Sequence, residues 1–380
     1  MKGEQAQYSD RNLRSLVPAF SHLFSGRSRR CKAGFFKSRA WLDVPLSAMR
    51  IICFCLLTAL VSCVTPDSSG EDHPGIYYWK TTWELNPERQ AELRAAGTRQ
   101  LFVRFFDVDW NFNQGQAQPK GILQLPDSLV VDETLAITPV VYVVERVFRQ
   151  PVDAEELAQR IGRTIEGMSA GHAALRAATR WQIDCDWTPT SRDRYFAFLR
   201  ALQTQFPDKV INVTIRLHQY REREDNGVPP VSEGLLMCYN MEPVGEPETQ
   251  NAIYREDLLR GYLKAPPYPI PLDAALPVFA WGAAFRDDLF LGVVSPPAAS
   301  PGFLDPVGGN RFLVLKDTTL LETFVRPGDD VRYDGANTAA LLTAAGLLRD
   351  RNEIRDLILF DWRMDVLENW PLAEVWTAFY

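Results

Sequence analysis

The chain has 380 residues, 46% of them hydrophobic and 23% charged, with a net charge of −7. That is enough sequence for one large core with appendages, and it excludes a chain that is disordered throughout. The first 50 residues carry +7, which leaves −14 for residues 51–380, and so acidic a body excludes nucleic acid as the expected partner because phosphate binding needs a basic surface.

Met49 and Arg50 precede an apolar run from Ile51 to Val61 that ends at Ser62 and Cys63. A cation followed by so short an apolar run reads as a signal peptide over residues 49–63, too short to span a bilayer comfortably as a permanent helix. The alternative is an ordinary buried helix containing Cys53 and Cys55. Residues 1–48 read as a cationic leader or as a start assigned too far upstream. Leu60, Val61, Ser62 and Cys63 resemble the lipobox of bacterial lipoproteins. That resemblance implies lipidation of Cys63, export, and anchorage to a membrane of the cell envelope. The small, polar residues 64–75 read as a flexible tether, which places the folded domain at 76–380. Cys185 and Cys238 are the cysteines left beyond Cys63. Without CxxC or His/Cys ligand spacing they predict neither structural zinc nor a disulfide framework, and both read as small buried hydrophobes.

Downstream, β-rich apolar runs alternate with helix-like segments. The runs are IYYWKTTW from Ile76, QLFVRFFDVDW from Gln100, LAITPVVYVV from Leu135, RWQIDCDW from Arg180, KVINVTIRLHQY from Lys209, GLLMCYNM from Gly234, LPVFAWGAAF from Leu276 and DLILFDWRM from Asp356. Amphipathic helices are predicted after the first, third and fourth runs, the last opening at Thr190 or Ser191, either of which can cap it. Eight strands with intervening helices predict an α/β fold of the (β/α)8 TIM-barrel type. A doubly wound open sheet is the runner-up, weakened because no GxGxxG or GxxxxGK[ST] loop follows the first run. That absence also leaves no cofactor to expect. Residues 302–335 change to a turn-rich β pattern, which predicts a β-rich insertion before the last strand.

In such a barrel the site lies at the C-terminal ends of the strands. Within WQIDCDWT, period-2 alternation sets Gln182, Asp184, Asp186 and Thr188 on one face. Two carboxylates one pleat apart in a sheet are costly unless paired or set at a cavity rim. Asp107 and Asp109 repeat the DxDW pattern on the second run, where they could equally cap the following loop. The other strand-end polar and aromatic residues include Glu145, His218, Tyr239, Asn240, Glu242, Trp281, Asp361 and Trp362. Carboxylates beside aromatic rings suit a glycan, whose C–H faces stack on rings while its hydroxyls bond to carboxylates. No third carboxylate or histidine stands at ligand spacing with the aspartate pairs, so no metal is expected.

WQIDCDWT resembles the DGIDIDWE signature on the fourth strand of family 18 glycoside hydrolases, the chitinases and their relatives, with Asp184, Asp186 and Trp187 at matching positions. LLMCYNM resembles that family's MxY[DN] signature on the sixth strand through Met237, Tyr239 and Asn240. Trp362 stands where the resemblance would put a substrate-stacking tryptophan. The chain also looks like a group of bacterial glycosidase-like barrel proteins, often lipoproteins, with the same QxDxD strand. Thr188 occupies the position of the family's general-acid glutamate and Trp181 that of the first aspartate of the signature. A threonine cannot donate a proton at neutral pH. The resemblance therefore implies either an oligosaccharide hydrolase in which Glu145, Glu242 or Asp361 supplies the proton beside Asp186, or a glycan-binding barrel without catalysis, as in chitinase-like lectins. In the first case Asp184, Asp107, Asp109, Tyr239, Asn240, Trp281, Trp362 and His218 would line the substrate.

Overall fold

The computed structural model describes residues 72–297, 300, 302–363 and 366–380. The leader, the signal peptide, Cys63 and the tether up to Glu71 lie outside the described residues. The strands in chain order are β1 (Gly75–Tyr78), β2 (Gln100–Asn111), β3 (Gln116–Lys120), β4 (Ala136–Val143), β5 (Arg180–Asp184), β6 (Val210–Arg216), β7 (Glu233–Met237), β8 (Leu272–Pro277), β9 (Ala280–Arg286), β10 (Leu289–Val294), β11 (Leu304–Gly308), β12 (Arg311–Val314), β13 (Thr318–Leu320), β14 (Thr323–Val325), β15 (Asp330–Gly335) and β16 (Ile354–Phe360).

Eight of these close a parallel barrel in the order β1, β2, β4, β5, β6, β7, β8, β16, and β16 pairs back to β1 through Gly75↔Ile358. Strands buried on both faces read as nearly continuous apolar runs, which is why FVRFF and GLLM carry so few polar residues. On β5 the pleat works as the sequence implies. Trp181 points outward and packs on Phe206, ring centroids 5.0 Å apart. Gln182 points inward, where its side chain accepts from the Tyr77 hydroxyl at 2.5 Å and donates to Asn212 Oδ1 at 2.8 Å.

Helices span Pro87–Ala95, Ala154–Ser169, Arg192–Gln205, Glu256–Tyr262, Thr338–Arg349 and Leu372–Phe379, with short turns of helix between. Their starts follow from local chemistry. Asp153 Oδ1 accepts from the backbone of Glu155 and Glu156, and Asn86 caps a helix whose first residue is Pro87. Ser191 stands at the cap of the helix 192–205, but its hydroxyl accepts from Thr188 N–H at 2.9 Å instead of bonding the helix. Ala154–Ser169 packs closely on the segment after the helix 192–205: a Cβ on Gly162 would lie 2.1 Å from the Phe206 ring.

The seventh predicted run, from Leu276, joins two different strands. The seventh barrel strand is β8, which ends at Pro277, and after Val278 and Phe279 the chain leaves the barrel at Ala280. Both pieces are apolar with no turn residue between them, so the sequence merges them. The β-rich insertion accordingly begins at Ala280, earlier than residue 302. It is an antiparallel sheet ordered β10-β9-β15-β12-β11 with a β13–β14 hairpin, and it has a small core of its own built on Ala284, Val294, Val314, Leu320, Val325 and Val331. The fully buried Arg332 ties it to the loop after β7. It forks onto Asp334 and donates to the carbonyls of Val244 and Glu246, both at 2.9 Å.

β3 has no counterpart in the sequence reading. It turns back antiparallel along the far end of β2, from Asn111↔Gln116 to Asp107↔Lys120. Its sequence, QAQPK, lacks the β-branched and aromatic residues by which strands are recognised.

Candidate functional site

The strand ends converge on an ion pair that the sequence reading did not include. VINVTIR on β6 alternates Asn212, Thr214 and Arg216 into the barrel, and Arg216 is the last inward position before the helix at Leu217. Its guanidinium grips Asp186 with two prongs, Nε to Oδ1 and Nη2 to Oδ2, the latter 2.7 Å. Burial alone would lower the pKa of Arg216. Asp186 more than offsets this and holds the guanidinium charged.

One pleat deeper, Asp184 Oδ1 accepts from the Thr214 hydroxyl at 2.6 Å. Burial first, and the neighbouring Asp186 second, push its carboxyl up to about 7. The Tyr142 phenol on β4 is raised by burial and then by Asp186 and Asp184, and that of Tyr239 by burial with Asp184 and Asp186 among its neighbours. Tyr239 also stacks on Phe360, centroids 5.0 Å apart. His218 is lowered by burial and by Arg216. Asp184, Asp186, Tyr239 and His218 are thus gathered at one place, together with Arg216, Thr214 and Tyr142. The only advance signals for these last three were the inward alternation of VINVTIR and a lone tyrosine in PVVYVV.

Glu145, beyond the end of β4, joins the cluster through Thr188. The Thr188 hydroxyl donates to Glu145 Oε1 at 2.8 Å, and Arg149 Nε lies 2.5 Å from Oε2. The Cys185 thiol is raised by burial and then by Asp186, Asp184 and Glu145. Cys185 and Cys238 are both buried free thiols.

Most of the remaining strand-end residues have partners of their own, and of these Asp107 is near enough to Asp184 to raise its pKa. Asp107 is forked by Arg104, at 2.8 and 2.5 Å, and burial raises its pKa despite that pairing. Asp109 accepts from Arg146 twice at 2.6 Å and from Lys120 at 2.7 Å. Burial would raise its pKa, but these cations outweigh it and hold the carboxyl at about 2. Both aspartates anchor the β2–β3 hairpin, so neither offers a carboxylate free of the protein. Glu242 pairs with Arg255 at 3.2 Å.

Asp361, raised by burial, has Arg363 Nε at 3.6 Å. Trp362 is only 1% exposed, stacked on Tyr78 and covered by Lys80 at 5.0 Å, so it packs the barrel top and offers no open platform. Trp281 lies on β9 in the antiparallel sheet, packs on Phe279 with ring centroids 5.5 Å apart, and its indole donates to Asp334 at 3.1 Å. Asn240 adopts a left-handed backbone, φ 54°, and its buried Oδ1 has no hydrogen-bond partner.

A polar cleft of about 590 Å³ lies between the loop after β7 and the antiparallel sheet, lined in part by Glu248, Asn251, Arg255, Asn310 and Arg311. None of the Arg216–Asp186 cluster lines it. The cluster has the denser chemistry.

No protein-family model and no curated protein matches the chain. Among solved structures, it is similar to a fungal endo-beta-N-acetylglucosaminidase from glycosyl hydrolase family 18, with 10% identity over 81% of this chain and 97% of that one and a TM-score of 0.46. It is similar also to a chitinase from Bacillus thuringiensis, with 9% identity over 77% and 66% of the two chains and a TM-score of 0.44. A cell-surface-expressed multi-modular chitinase from Paenibacillus sp. str. FPU-7 matches at 11% identity over 64% and 33%, TM-score 0.41, so the chain spans about a third of that structure's length. The likeness is one of fold, and the parallel eight-stranded barrel itself rests on the strand pairing given above.

Proposed function

We propose that this protein is an exported, envelope-anchored glycan-binding barrel that does not hydrolyse its ligand. The observation that carries the reading is the occupancy of two carboxylates. Both oxygens of Asp186 are taken by Arg216, and those of Glu145 by Thr188 and Arg149. With Thr188 at the position of the acid, every oxygen of Asp186 and Glu145 already has a side-chain partner, and a carboxylate held ionised by an arginine is a poor source of a proton for a leaving oxygen. Tyr142, half-buried beside the pair, retains what binding needs, a ring and a hydroxyl. Export and anchorage are supported by the cationic, apolar and cysteine-terminated segment 49–63.

One observation favours a hydrolase instead. The Thr188 hydroxyl donates to Glu145 at 2.8 Å, so a carboxyl from beyond β4 lies within hydrogen-bond reach of the residue that replaces the acid. A glycan array followed by product analysis separates the two readings. The binding reading expects retention on at least one glycan, weakened about tenfold by Tyr142→Ala through the lost ring contact, with no new reducing ends. Product formed by the wild type and abolished in Glu145→Gln would replace it with the hydrolase, and absence of binding to any glycan would remove both.

A further inference from the structure

The β2–β3 hairpin continues the face that carries Asp107 and Asp109 beyond the barrel rim. Between Asp109 and Lys120 the sequence WNFNQGQAQP contains no charge and five amides. The pairing register sets Asn111 opposite Gln116 and Asp109 opposite Gln118, which places Asn111, Gln116 and Gln118 on the face of the two aspartates. Trp110 and Ala117 occupy the other face, where Arg160 from the helix 154–169 bonds the Ala117 carbonyl at 2.9 Å.

The amides are organised. Asn111 donates to Gln118 Oε1 at 2.9 Å and accepts from the backbone of Asn113 and Gln114, while Gln114 Oε1 accepts from Gln116 at 2.9 Å and from Gln118. Gln114 Nε2 and Gln116 Oε1 take no part in this ladder. Phe112, at the turn, is 69% exposed. The base is held by Arg146, the residue after Glu145, through two bonds to Asp109.

We propose that this hairpin is a second glycan-contact site, an arm that holds a neutral polysaccharide while part of the same chain occupies the mouth. The inference rests on the glycan-binding reading above. The ligand is taken to be uncharged because the arm is. It is taken to be a polysaccharide because fixed amides with unused donors and acceptors match sugar hydroxyls, while an exposed ring matches a pyranose face. The occupant is the chain in the mouth because the amide face is continuous with the strand end beside Glu145.

The test measures retention on insoluble chitin, cellulose, xylan and β-1,3-glucan, and on alginate and heparin as charged polymers, together with solution affinity for short oligosaccharides of each retained polymer. Phe112→Ala and Gln116→Ala, both exposed and so expected to fold as the wild type does, should weaken retention on a neutral polymer about five- to tenfold. Affinity for the short oligosaccharide should stay within about twofold, well inside the energy of one stacking contact. Unchanged polymer retention in both variants, or retention only on the charged polymers, would overturn the arm while leaving the mouth reading in place. A wild type that binds no polymer and no oligosaccharide would overturn both.

Discussion

Arg216 and Asp186 show how one residue sets what the mouth can do. The guanidinium fork satisfies both carboxylate oxygens, and each partner in turn makes burial of the other tolerable. Arg216→Met keeps the side-chain length but strands Asp186, and urea unfolding should record a loss of about 3 kcal/mol. Adding Asp186→Asn should recover part of that loss, because the stranded charge is then gone.

Asp184 adds a pH dependence. Its carboxyl titrates at about 7 in the folded chain, against about 3.9 when unfolded. Its contribution to stability is therefore complete below about pH 4, and it is lost as the pH rises through about 7. Asp184→Asn keeps an oxygen to accept from Thr214 but cannot ionise, so its thermal midpoint should decline less than that of the wild type between pH 4 and pH 8. Parallel profiles would contradict the assignment. Asp273, also raised by burial to about 7, keeps some slope in both proteins.

The aspartates at 184 and 186 were legible from two-residue alternation alone, but Arg216 was not. An arginine ending a strand reads as solvated until the barrel closes and turns it toward β5.

At the scale of elements, the barrel strands were legible because burial on both faces leaves long apolar runs. The errors fell where that signal is silent or too continuous. β3 is built of amides and carries no apolar period, while β8 and β9 follow each other without a polar break. Trp281 follows β8 closely but sits on a strand of the second sheet. Two element-level contacts yield direct predictions. Gly162→Ala would push a methyl into the Phe206 ring, and overpacking of this kind should lower unfolding free energy by about 1–3 kcal/mol in a denaturant titration. Arg332→Leu would leave the fully buried Asp334 without its guanidinium and free the carbonyls of Val244 and Glu246. Its cost should be about 3–5 kcal/mol, with faster amide exchange in the loop 241–255 as the local sign.

At the scale of the molecule, a closed parallel barrel brings eight strand ends to one mouth, and the antiparallel sheet from Ala280 to Gly335 is tied to the loop on one side of it. The barrel was legible from the count and spacing of its runs. The state of its site was not, because occupancy of a carboxylate by an arginine depends on residues about 30 positions apart in sequence, Asp186 and Arg216, meeting across two strands. The central claim is that this mouth binds a glycan and leaves it intact. Its most direct test is a time course of the captured oligosaccharide with wild type and Glu145→Gln, followed by mass spectrometry. The oligosaccharide should stay whole with both proteins, whereas cleavage by the wild type that disappears in Glu145→Gln would contradict the claim.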